Sequence, residues 1–156
     1  MAALKHMLSR RKHFKSLETT ARPDHNVLIA TFEVGPGING NPLLIGLQLV
    51  DNMPTALHID CLITDVQSLD ASKLTNAANS KLFFGKVIVG ETSEVVRYSV
   101  THLFTDPTPN EAVLDVLITE ALSAQVSTCI AVARLRKIAK EAESHEEVHR
   151  SRFEWN

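Results

Sequence analysis

The chain has 156 residues, 44% apolar and 22% charged, and 16 basic against 18 acidic side chains give a net charge of −2. That is the make-up of one domain able to bury roughly 68–70% of its unfolded surface, which excludes the disordered and disulfide-stapled classes. A near-neutral chain has no general attraction for nucleic-acid phosphate, and its uncharged apolar runs fall short of the roughly 18 residues of a membrane span. A soluble, cytoplasmic protein is expected. Cys61 and Cys129 form no CxxC pair and read as small core residues of a reducing compartment, although two distant cysteines can in principle bridge.

From Met1 to Leu17 the chain carries Lys5, Arg10, Arg11, Lys12 and Lys15 with no acid, and it lacks the apolar core of a secretory signal. Leu4, Met7, Leu8, Phe14 and Leu17 fit one helical face, which predicts a first helix whose bases form an electrostatic partner contact. Past the breaker Ala21-Arg22-Pro23-Asp24, the β-branched run Asn26–Val34 predicts a strand, Gly35–Pro42 a loop, and Leu43–Val50 a second strand. Asp51-Asn52-Met53-Pro54 reads as a turn and Thr55–Thr64 as a third strand, so short connections favour an antiparallel meander.

From Asp65 the spacing of Leu69, Lys73, Leu74, Ala77, Ala78 and Lys81 predicts a short helix capped by Ser68 or Asp70. Leu82–Val89 and Val95–Phe104 follow as a hairpin across Gly90–Glu94. Thr108-Pro109-Asn110-Glu111 has the form of a capping box, with Thr108 accepting from the Glu111 amide and proline at the first helical position. It predicts a helix from Pro109 to about Ile138 that is apolar on more than one face. Val113, Leu117, Ala121 and Ala124 on one of these faces are the expected dimer or partner interface. Residues 1–140 are expected to form one α+β domain, and 141–156 a charged helical extension or tail.

Two strings invite a chemical reading. Gly35-Pro36-Gly37-Ile38-Asn39-Gly40 is a formal GxGxxG, but it leads into another strand rather than opening the helix whose free amides would hold a pyrophosphate, so a hairpin loop is expected. His145-Glu146-Glu147-Val148-His149 is a formal HExxH, which on a helix sets two imidazoles on one face with Glu146 as base, the alternative of a zinc-dependent hydrolase. Its charged surroundings and lack of a downstream third ligand argue for a solvated helix end. His58 and Asp60 share a strand face without a nucleophile, and His102 stands alone beside Thr101. One Trp and one Tyr provide no stacking platform for nucleic acid. No catalytic residue, cofactor or metal is expected.

The order α-β-β-β-α-β-β-α resembles the YbjN family, which shares the type III secretion chaperone-like fold. Carrying the resemblance are Asn76 and Asn79 at the end of a helix, Phe84-Gly85-Lys86 opening a strand, Val96-Arg97-Tyr98, and a capped helix with Leu114, Leu117 and Leu122. Physically, Asn79 can take a left-handed conformation or bond local backbone, Phe84 would plug the core, and Gly85 allows close backbone approach. The resemblance implies a small non-enzymatic protein, often dimeric, that regulates or binds other proteins. Secretion chaperones of this architecture hold an extended partner segment along sheet and helix. The expectation is therefore a homodimeric, non-catalytic regulator or chaperone-like adaptor with a protein partner, or alternatively a dedicated type III secretion chaperone.

Overall fold

The computed structural model describes residues 1–21, 26–48, 55–65, 69–90, 95–105 and 109–153, with only the backbone at 55, 64, 65 and 145–153. Among these, the chain forms three helices and a seven-stranded antiparallel sheet, an α+β architecture. The elements are α1 (Ala2–Ser9), β1 (Phe14–Ala21), β2 (Asn26–Gly35), β3 (Ile38–Asn39), β4 (Leu43–Gln48), β5 (Thr55–Asp65), α2 (Ala71–Asn79), β6 (Lys86–Val89), β7 (Val95–Phe104) and α3 (Glu111–Phe153). The expected order is present with two strands added, β1 and β3. The breaker at 22–24, the turn at 51–54, Ser68, the hairpin tip at 91–94 and Thr108 lie outside the described residues.

The first helix is shorter than its periodicity predicts. Leu4 and Leu8 are buried one turn apart, but α1 ends at Ser9, and His13 at φ 67° turns the chain into β1. Phe14 and Leu17 are thus strand residues. Phe14 sits opposite Phe32 in the β1–β2 ladder, and their rings meet edge to face at 5.9 Å. Apolar spacing alone does not count this cross-strand partner, and pairing with β2 decides the conformation.

The sheet runs β1-β2-β4-β5-β7-β6, with β3 folding back on β2. Alternate residues point to one face, where Leu28, Phe32, Ile45, Ile59 and Tyr98 are buried beneath the helices. GxGxxG is the hairpin expected of it: Pro36 and Gly37 make the turn, Gly37 takes φ +71°, and its amide donates to the Glu33 carboxylate. The following residues are fixed to α3, because Gln125 Oε1 accepts from Asn41 N at 2.8 Å and Gln125 Nε2 donates to Asn41 O at 3.2 Å.

Asp70 caps α2 by accepting from Ser72 N and Lys73 N. At the other end, Asn79 takes no left-handed turn but acts as an added strand residue: its Oδ1 accepts from Val87 N at 2.7 Å and its Nδ2 donates to Val87 O at 3.0 Å. Two part-buried bonds make Asn79→Ala cost about 2 kcal/mol. Chemical denaturation is the check, with β6 amides exchanging faster in the variant.

Asn110 caps α3, accepting from Ala112 N at 2.9 Å, so the helix starts at Glu111 rather than Pro109. It runs 43 residues, about 64 Å at 1.5 Å per residue, well past the expected end at Ile138. Glu111–Ser144 is long and apolar enough, by length and composition, to cross a bilayer. Its inner side, including Leu114, Leu117, Ile118, Ala121 and Ala124, is buried in the core of this chain, whereas Val116, Val126 and Ile130 are exposed.

Candidate interaction surface

The most distinctive polar feature is a carboxylate inside an apolar helix. Glu120 is 9% exposed, and its side chain reaches the turn between α2 and β6. Its oxygens accept from Phe83 N at 2.7 Å, Phe84 N at 3.1 Å and Gly85 N at 2.7 Å, and from the Tyr98 hydroxyl at 2.8 Å. Three successive amides form a concave donor site of the kind that binds anions, here filled by the chain's own side chain. Burial acts to raise the Glu120 pKa, but the bonds from Phe83, Gly85, Tyr98 and Phe84 outweigh it and leave the group below its ordinary value. Burial first, and then the neighbouring carboxylate, drives the Tyr98 phenol upward.

This clamp explains why residues 82–85 are not the strand that their sequence predicts. Amides held by Glu120 point toward α3, so pairing with β7 begins only at Lys86. It also overturns the expectation that Phe84 plugs the core: Phe84 is 54% and Phe83 89% exposed. Gly85 does serve close approach, since a Cβ there would lie 2.3 Å from Tyr98 Cζ. The two phenyl rings stand over a groove of about 410 Å³ shared with Val116 and Thr119 of α3, and Lys81 and Asp115 also line it.

Across the outer face of α3 is a second, broader groove of about 800 Å³. One wall is the α1–β1 corner with Arg10, Arg11 and Lys12, and Phe32, Leu122, Val126 and Ile130 supply its apolar surface. Arg11 pairs with Asp115; burial lowers its guanidinium pKa, and Glu111 opposes that. The five expected bases therefore do not form one free patch. Lys15 bonds Glu33 at 3.0 Å, and neither Lys5 nor Lys15 lines the groove.

The face expected to receive a second subunit is occupied from within. Leu117, Ala121 and Ala124 are fully buried in this chain's core, and Val113 packs half-buried against the same cluster. The sequence periodicity identifies an apolar face correctly but not which of two broad faces meets the chain's own sheet.

The other candidates fall elsewhere. His58 Nδ1 lies 2.9 Å from Thr101 Oγ1 on the helix-free side of the sheet, and His102 packs edge-on to Phe104 at 4.7 Å. Cys61 is buried, with its thiol pushed up to about 12 by desolvation and then by Cys129 and Asp60, so it is a poor nucleophile. Cys129 is exposed, contrary to a core reading, and both thiols are free. The side chains of His145, Glu146 and His149 lie outside the described residues, though the backbone there is helical. Among the described residues no group of three or more His, Cys, Asp or Glu is placed to hold a metal.

Sequence reasoning missed Glu120 and the exposure of Phe83 and Phe84. One signal was present: Glu120 is a lone acid among Leu117, Ile118, Ala121 and Ala124, on the side of the helix that faces the core. Comparisons with family models, curated proteins and solved structures give no match.

Proposed function

We propose that the chain is a non-catalytic protein-binding module, a regulator or chaperone-like adaptor that docks an apolar segment of another protein. The observation that carries this reading is the exposed Phe83–Phe84 pair on a backbone turn fixed by Glu120. A mobile loop would lose conformational entropy on capturing a partner, whereas a turn whose three amides are bound to Glu120 has already lost it, so its apolar rings are preorganised. Aromatic side chains beside a groove are typical binding anchors. Of the charged groups on the groove wall, Asp115 is paired with Arg11 and Glu120 with the turn amides, which leaves Lys81 to favour a partner segment with an acidic residue next to its apolar anchors. The resemblance of Leu74–Val89 and Val96–Tyr98 to the YbjN family points the same way.

The test is selection of short random peptides displayed on phage against the immobilised full chain. Enrichment of sequences pairing apolar residues with Asp or Glu is expected. Binding should fall at least about tenfold in the Phe83→Ser/Phe84→Ser variant, because each lost anchor costs on the order of 1–2 kcal/mol. Both positions are exposed, so the melting temperature should hardly move. Equal binding by the folded variant, or no enrichment at all, refutes the proposal.

A further inference from the structure

The groove beside Phe83 and Phe84 and the broader groove across α3 are two sides of one trough. Asp115, Thr119, Ser123 and Ser127 line both of them. These residues recur every four positions over twelve residues of α3, a floor about 18 Å long at 1.5 Å per residue. One wall is the turn from Lys81 to Phe84, and the other is the α1–β1 corner from Arg10 to His13. Apolar surface flanks the floor on both sides, with Phe83, Phe84 and Val116 toward the turn and Leu122, Val126 and Ile130 toward the corner.

The backbone beside Phe83 and Phe84 has no donors left for a partner strand. Leu82 N donates to Asn79 O, Phe83 N and Phe84 N to Glu120, and Val87 N to the Asn79 side chain, while the backbone of α3 is helical. An extended segment laid here would find no ladder, and its own buried N–H and C=O groups would go unpaired. A helix bonds its backbone internally and offers the trough only side chains. Charge adds a second constraint. Of the acids lining the trough, Glu120 is held by the turn, Asp115 by Arg11 and Glu33 by Lys15, and Glu111 acts on the same Arg11 guanidinium. Lys81 on one wall and Arg10 and Lys12 on the other form no ion pair among the described residues.

We infer that the partner segment is an amphipathic α-helix lying along α3, its apolar face on the Thr119–Ser127 floor and acidic residues on both margins of that face. This rests on the docking reading and deepens it by stating the conformation and charge pattern of what is bound. The test presents the immobilised full chain with three phage-displayed peptide libraries of equal length. One has apolar residues at three- and four-residue spacing, one alternates apolar and polar residues, and one is proline-rich. Enrichment from the first alone is expected, with Asp or Glu flanking the apolar positions. The best binder, made as a free peptide, should gain helicity on binding by circular dichroism, and proline at its centre should weaken it about a hundredfold. Ser123→Glu and Val126→Glu in the protein should each weaken binding at least about tenfold by setting a charge under the apolar face. Both positions are exposed, so the melting temperature should hardly move. Arg10→Glu/Lys12→Glu should weaken binding about threefold, an effect lost at high salt. Enrichment from the alternating or proline-rich library that still requires Phe83 and Phe84 overturns the helical partner and leaves the docking reading standing. A helical binder indifferent to both Ser123→Glu and Val126→Glu overturns its placement along α3, and no enrichment from any library refutes both readings.

Discussion

Glu120→Ala is expected to destabilise the fold by about 3–5 kcal/mol, because it strands the amides of Phe83, Phe84 and Gly85 and the buried Tyr98 hydroxyl at once. Glu120→Gln should cost less, about 2 kcal/mol, since one oxygen still accepts while the new amide group faces donors. Urea denaturation measures both, and the second readout is local: the three turn amides should change from protected to exchanging. The pH dependence has a definite sign. Because Glu120 has a lowered pKa in the folded protein, its contribution is full above the unfolded value of about 4.3 and is lost as pH falls through the lower folded value. Wild type should therefore weaken over that acidic interval, and Glu120→Gln should show a flatter profile. Identical profiles would mean that the clamp contributes nothing to stability.

Gly85→Ala is expected to be comparably severe, at about 3 kcal/mol or more, although it adds one methyl group. The new carbon would stand 2.3 Å from both Cζ and the hydroxyl oxygen of Tyr98, a side chain that is fully buried and tied to Glu120. Neither side has room to move: the ring is enclosed by the core, and the backbone is held by the carboxylate. Gly37→Ala is the internal comparison. It meets nothing within 4 Å and bears only the strain of φ +71°, about 1 kcal/mol. Equal melting temperatures for the two variants would show that the turn at 83–85 adapts and is not rigid.

What the sequence made readable follows from the range of the interactions involved. Strands such as Val95–Phe104, and the cap at Asp70, depend on neighbouring residues and were recoverable from alternation and side-chain chemistry. The segment from Phe14 to Ala21 was not, because its choice between helix and strand is made by β2, and Phe32 lies eighteen residues from Phe14. Phe84 was misassigned for a similar reason. Adjacent phenylalanines before Gly85 look like a buried strand entrance until a carboxylate thirty-five residues beyond that glycine takes the amides. The outer surface of α3 was visible as apolar breadth, but the division between the inward set at Leu117, Ala121 and Ala124 and the outward set at Val126 and Ile130 needed the position of the sheet.

The sheet order carries a consequence for biosynthesis. β6 is made before β7, its one pairing partner among the described residues, and the turn preceding β6 waits for Glu120 on α3. A ribosome thus releases Phe83 and Phe84 on an unclamped backbone and completes their support only after the intervening strand has been translated. During that interval the nascent chain displays two adjacent aromatic rings and an unpaired strand edge, the features most prone to premature association. The residues proposed to hold a partner in the finished protein are, while it is being made, the ones in most need of cover.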